Sequence, residues 1–180
     1  MIPNEPPRLE LVALDAGRIE SLLSRDRGLV ARACGFRYAD DWRDAEWWLR
    51  MRRDCLLADP SFAPWAPRAL ALRGTRESVG HLNFHAPPGP PHLVSFAPGG
   101  IELGYEIFPP FRRRGYATEA LAAAITYTEA REVPSIALAI GVANAISQRI
   151  ARGLGFVERG RWQDEKNGEE IVFVRLLASR

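Results

Sequence analysis

Residues 9–14 alternate weakly between apolar and polar side chains and predict a first strand, after which Asp15 is placed to cap a short helix through Ile19, Leu22 and Leu23. From Asp44 onward, Ala45, Trp48, Leu49, Met51, Cys55 and Leu56 follow helical spacing until Pro60 closes the segment. Residues 68–73 and 79–85 read as two short strands joined by a Gly74–Ser78 turn, so their pairing is expected to be antiparallel. Residues 86–100 are crowded with Pro and Gly and cannot donate a regular ladder, which makes them a long hairpin loop.

The next strand, 101–108, sets Ile101, Leu103, Tyr105 and Ile107 on one face and Glu102, Gly104 and Glu106 on the other, so two carboxylates share a face. Pro109 and Pro110 end it. After Gly115 the residues Ala117, Ala120, Leu121, Ala124, Ile125 and Thr128 form the stripe of a helix reaching about Arg131. Pro134 breaks that helix, and residues 135–141 make a small-residue apolar strand, which together imply a parallel crossover. Asn144 can cap a helix over 145–153. Residues 156–162 and 171–177 complete the set as a last strand pair, with turn chemistry from Asn167 and Gly168. The expected architecture is therefore α/β (α+β): a mixed, mostly antiparallel sheet of about seven strands flanked by about four helices.

Composition narrows the function classes. The 180 residues suit one compact domain, 1–180, with residues 1–7 expected to be flexible, and thus one active site. Twenty-four basic against 22 acidic side chains leave a net charge of +2, scattered along the chain, so neither nucleic acid nor an acidic membrane is the expected partner. Cys34 and Cys55 lack metal or redox spacing and are read as reduced thiols. No apolar export signal opens the chain and no stretch is long enough to cross a bilayer, which makes a cytoplasmic location the expectation.

The segment Arg112, Arg113, Arg114, Gly115, Tyr116, Ala117 lies between a strand and a helix, where the first helical amides have no internal acceptors. Gly115 lets the backbone turn and approach a ligand closely, and Ala117 keeps the next position open. A pyrophosphate fits that vacancy, each nearby negative charge gaining roughly 0.3–1 kcal/mol from the helix terminus and up to about 2 kcal/mol where water is partly excluded. Neither the P-loop GK[ST] nor a GxGxxG fingerprint is present, and arginine-rich turns are common in a chain whose basic residues are nearly all arginine.

Two blocks carry a more specific signal. The run GYEIFPPFRRRGYATEAL (residues 104–121) resembles the strand, loop and cofactor helix of the GNAT superfamily of N-acetyltransferases, with Arg112, Gly115 and Ala117 at the defined positions of Q/R-x-x-G-x-G/A. The run NAISQRIARGLGF (residues 144–156) resembles the family's NxxSxxxxxxxGF helix through Asn144, Ser147, Gly155 and Phe156. The likeness, more loosely, spans residues 8–177 and is closest to the branch containing ribosomal-protein N-terminal acetyltransferases. It implies splayed fourth and fifth strands and acetyl-CoA as donor. By the same resemblance, Arg112, Arg113, Arg114, Gly115, Tyr116, Ala117 and Thr118 hold the pyrophosphate, while Ile107, Phe108 and Asn144 meet the pantetheine arm. Direct transfer to a primary amine in a ternary complex follows, the acceptor being a protein N-terminus or a small amine; a non-catalytic acyl-CoA sensor is the alternative.

Amine chemistry then defines what else to look for. A lysine-like amine with a pKa of about 10.4 is neutral in roughly one molecule in 2,500 at pH 7, a cost of about 4.6 kcal/mol, whereas an α-amine near 7.7 costs only about 1 kcal/mol. Glu102 and Glu106 are the candidate bases, and their proximity on one face is expected to raise one pKa by mutual repulsion; the alternative is a pair of solvated or arginine-paired strand carboxylates. Relatives are thought to protonate the leaving thiolate with a tyrosine six residues after the motif asparagine, but Ile150 stands there, which makes Ser147 the candidate acid. His81 and His85 share a strand face and His92 follows in the loop; no full zinc ligand set is evident, so no metal is expected and the three are read as acceptor-cleft or surface histidines. Among the tryptophans, Trp48 is assigned to the core and Trp42 or Trp47 to substrate or dimer contact, a homodimer being in keeping with the resemblance.

Overall fold

The computed structural model describes residues 7–164 and 168–178. Its seven strands follow the order β1-β2-β3-β4-β5-β7-β6 in one open sheet, the mixed and mostly antiparallel architecture expected. Backbone contacts group the chain into two compact units, Met1–Asn83 with Tyr105–Ala120, and Phe84–Gly104 with Leu121–Arg180.

In the first unit, β1 (Leu9–Ala13) pairs antiparallel with β2 (Arg68–Leu72), which pairs antiparallel with β3 (Ser78–Phe84). The turn between β2 and β3 closes where the Glu77 carbonyl accepts from Leu72 N–H at 2.9 Å. Helix α1 (Ala16–Ser24) starts as expected, with the Asp15 side chain accepting from Arg18 N–H. A second helix, α2 (Arg27–Cys34), brings the described α-helices to five where about four were expected. It buries only Val30 and Cys34, too few for an apolar stripe, yet it has an Asp26 cap and a left-handed Gly35 stop. Helix α3 (Glu46–Ala58) follows a short 3-10 turn over Asp40–Ala45.

The core of this unit gathers Leu14, Ile19, Leu22, Val30, Phe36, Trp48, Leu49, Ala69 and Phe108 around Trp42. Trp42 is only 1% exposed, donates its indole N–H to Ser78 Oγ at 2.9 Å and meets Phe108 edge-on, so it is a core residue and not a substrate or dimer contact. Trp48 is buried as expected, and Trp47 is 57% exposed. Cys34 is a free thiol that burial pushes up to about 11, which leaves it unreactive.

In the second unit, the start of β4 (Ile101–Ile107) pairs parallel with β5 (Ser135–Gly141) through Ile101↔Ile136 and Glu102↔Ala137. Between these strands the chain runs through α4 (Tyr116–Glu129), whose buried stripe includes Ala120, Leu121, Ala124 and Thr128. β7 (Gly168–Leu176) pairs antiparallel with β5 and with β6 (Val157–Asp164). Asn167 of the expected β6–β7 turn lies outside the described residues.

Helix α5 (Ala145–Gly153) explains much of its motif in structural terms. Asn144 caps it by accepting from Ser147 N–H, Gly155 adopts a positive φ of 80° at the exit, and Phe156 is buried immediately after. The proline-rich loop is more than a connector. It makes a 3-10 turn over Pro91–Leu93, and its Leu93, Phe96 and Ala97 pack with Ala137, Val172, Val174 and Trp162 on one sheet face. Among the described residues no helix is long and apolar enough to cross a membrane.

Candidate active site

The segment before α4 turns sharply. Arg113 and Gly115 have positive φ values of 62° and 82°, and Arg112, Arg113, Arg114 and Gly115 are all exposed. Gly115 adopts that conformation at low cost, whereas a β-carbon there would be strained. The Arg112 Nε–H donates to the Ile107 carbonyl at 2.8 Å and its guanidinium lies 3.3 Å from Glu106, which ties the loop to the end of β4. Phe108 N–H donates to the Val79 carbonyl at 2.9 Å, fixing the last residue before the turn.

Arg8 is a contributor that the sequence offered no signal for, since its partners lie more than 100 positions away. Its guanidinium bonds Glu119 at 2.9 Å and the Arg114 carbonyl at 3.1 Å and lies 4.7 Å from the Tyr116 ring centroid. Glu119 also accepts from Leu9 N–H at 2.8 Å, so the acidic side chain in the first turn of α4 is engaged by β1 and its flanking residue. Arg8 and the run Arg112–Arg114 therefore adjoin a helix N-terminus whose first amides have no partners within the helix, a setting suited to a pyrophosphate. Tyr116 is buried against this turn, Ala117 is half-buried and Thr118 exposed.

The two strand glutamates have different surroundings. Glu106 belongs to the first unit, with His81 Nε2 at 3.6 Å and Arg112 at 3.3 Å. His81 sits among Trp42, Trp48 and Phe108, and its Nδ1 is buried without a hydrogen-bond partner. His81 beside Glu106, with Arg112, holds that carboxyl below its usual value against the opposing effect of burial.

Glu102 belongs to the second unit and is only 4% exposed. Its carboxylate faces His92 Nε2 at 2.8 Å and His85 Nδ1 at 3.3 Å. An ionised carboxylate only accepts, so the facing nitrogen of each ring carries hydrogen and donates. A β-carbon at position 104 would come within 3.1 Å of His85 Nε2, so Gly104 gives that ring its room. Burial pushes the Glu102 carboxyl up, but hydrogen bonds and charge from His85 and then His92 outweigh it and hold the group below its usual value.

The expected mutual elevation of the two carboxyls is thus corrected: both are lowered. They lie four positions apart on the strand, about 13 Å and beyond the screening length of roughly 8–10 Å, and each has its own imidazole closer than the other carboxylate. The histidines are carboxylate partners, and among the described residues no group of His, Cys, Asp and Glu is arranged to hold a metal ion.

Glu102, His85 and His92 line a cavity of about 390 Å³ together with Ala139, Trp162, Asp164 and Glu170. The alternation along β6 brings Trp162 and Asp164 to one face, and Trp162 is paired across the ladder with Glu170. His85 and His92, expected as acceptor-cleft or surface residues, stand in this lining, whereas Trp162, Asp164 and Glu170 carry no sequence signal because their convergence depends on strand register. Ser147 is half-buried on α5 and Asn144 is exposed as its cap.

Residues 8–157 match the family described as Acetyltransferase (GNAT) domain, and the chain belongs to that family. No curated protein matches it significantly. Among solved structures, a GNAT-family acetyltransferase from Bordetella pertussis superposes with a TM-score of 0.66 at 19% identity, covering 95% of this chain and 97% of that one. Ribosomal-protein-S5-alanine acetyltransferase from Vibrio fischeri gives a TM-score of 0.66 at 13% identity over 96% and 94%. The ribosomal L7/L12 α-N-protein acetyltransferase RimL in complex with coenzyme A gives 0.64 at 16% over 96% of each chain. The neighbours thus include ribosomal-protein acetyltransferases, the branch the sequence resembles.

Proposed function

We propose that this acetyltransferase moves the acetyl group of acetyl-CoA directly to a primary amine, without a covalent enzyme intermediate or a metal. The observation that carries this reading is the Arg112–Ala117 turn, with Gly115 at a φ of 82° immediately before α4 in a chain matching the GNAT family. The seven residues from Arg112 to Thr118 hold the pyrophosphate through loop arginines and free helix amides. Ile107 and Phe108 lie along the pantetheine and thioester, and Asn144 contacts the arm. A RimL structure containing coenzyme A supports the donor class.

In the reaction the amine nitrogen attacks the thioester carbonyl, a C–N bond forms, and the C–S bond breaks with its electron pair passing to sulfur. The amine proton goes to the ionised carboxylate of Glu102 in its buried wall, while His92 and His85 hold that carboxylate in place by donating to it. The Ser147 hydroxyl passes its proton to sulfur as it takes another from solvent water, so the serine ends neutral and coenzyme A leaves as the free thiol. Glu106, the second candidate base, acts here through Arg112 by bracing the phosphate turn. Positioning supplies most of the remaining advantage.

Replacing Gly115 with valine tests the donor site, because a branched side chain is strained at this positive φ and obstructs the approach to the amides. Calorimetry should show acetyl-CoA affinity reduced by about tenfold or more with the thermal transition retained. Unchanged affinity rejects the phosphate seat. Tight acetyl-CoA binding with no thiol release on any amine would instead identify a sensor.

A further inference from the structure

The cavity on the second unit has a composition that narrows the acceptor. Its walls carry the carboxylates of Glu102, Asp164 and Glu170, and its described lining includes no Lys or Arg. Glu102 is committed to His85 and His92, but Glu170 on β7 adds a second carboxylate to the lining, itself mostly buried. Trp162 donates its indole N–H to Glu170 Oε2 at 3.0 Å, and its ring is held edge-on by Phe96 and beside His92. The indole is a fixed aromatic wall between carboxylates, a setting that favours an organic cation over an anion or an uncharged chain.

We propose that this cavity seats the acceptor, and that the acceptor is a compact aliphatic amine bearing at least one further cationic group. The inference rests on the acetyl-transfer reading above and names its substrate class. The reacting amine lies at Glu102, where its proton is removed, and the second cationic group lies toward Glu170, Asp164 and the face of Trp162. A protein N-terminus presents one ammonium followed by neutral amides and offers no second cation to Glu170. The volume of about 390 Å³ is near the lower end of small-ligand pockets, in keeping with a short molecule.

The test uses the full chain, acetyl-CoA, and three probes: 1,4-diaminobutane, n-butylamine, and an uncharged tripeptide amide with a free α-amine. Thiol release should give kcat/KM for the diamine about tenfold or more above n-butylamine, and E170Q should shrink that ratio by about fivefold. Calorimetry without acetyl-CoA should show the diamine binding and E170Q weakening it. Equal kcat/KM for diamine and monoamine, preference for the tripeptide, or a ratio unchanged in E170Q overturns the proposal while leaving acetyl transfer intact. Failure to bind acetyl-CoA or to release thiol with any probe overturns the transfer reading, and diamine binding by the apo chain then still reports on the cavity.

Discussion

The same pairing of glutamate with histidine occurs twice along β3, its adjoining residue His85, and β4, and the two instances do different work. In the first unit, His81 and Glu106 stand 3.6 Å apart beside Trp42, Trp48 and Phe108, and the carboxylate turns to Arg112. In the second unit, His85 and His92 approach Glu102 at 3.3 and 2.8 Å in the wall of a cavity. One cluster braces a loop from an aromatic core; the other presents a buried, ionised carboxylate to open space. Residue type alone does not distinguish the two settings, whereas access to open space does.

The largest expected effect is on Glu102. E102Q should lower kcat/KM by about 10²- to 10⁴-fold, the range for losing general base catalysis, with acetyl-CoA affinity retained. Steady-state thiol release with parallel calorimetry measures both, and a loss under threefold would place the base elsewhere. Trp42→Ala tests the aromatic core behind His81 and should cost about 3–5 kcal/mol of stability by urea unfolding, whereas the exposed Trp47→Ala should stay within about 0.5 kcal/mol. Equal costs would remove the contrast drawn between those two side chains.

Glu106 should matter less. Its ion pair with Arg112 is solvent-exposed, so E106Q should raise the KM for acetyl-CoA by about fivefold at most and leave the pH dependence of kcat unchanged. A loss matching that of E102Q would make both carboxylates catalytic. The smallest effect is on the pH dependence of stability. Because the folded state holds the Glu102 carboxyl below its unfolded value, its ionised form adds stability above the ordinary carboxylate pKa of about 4.3, and that increment is lost as pH falls through the folded value. Urea midpoints of wild type and E102Q should therefore be separated near neutrality and converge in acid; a gap that does not change with pH would mean that the carboxylate is not selectively stabilised in its ionised form.

Much of the fold was legible in advance because its cues are local. The alternation of β4, the Asp15 and Asn144 caps and the Gly115 turn each depend on neighbours within a few positions. Helix α2 escaped because it buries only two side chains, Val30 and Cys34, and its start and stop residues were the only clues. Trp42 looked like a contact residue until the strand carrying Ser78 supplied an indole acceptor 36 positions away.

By itself the sequence determined the family, the strand-turn-helix around Gly115 and the presence of two glutamates on one strand face, since each is written in short-range spacing. Only the tertiary structure decided that Arg8 reaches the turn before α4, that the two carboxyls are both lowered, and that Glu102, Trp162, Asp164 and Glu170 line one cavity. Those facts depend on strand order and register, which bring distant residues within a few ångströms, and electrostatics and cavity shape are set at that range.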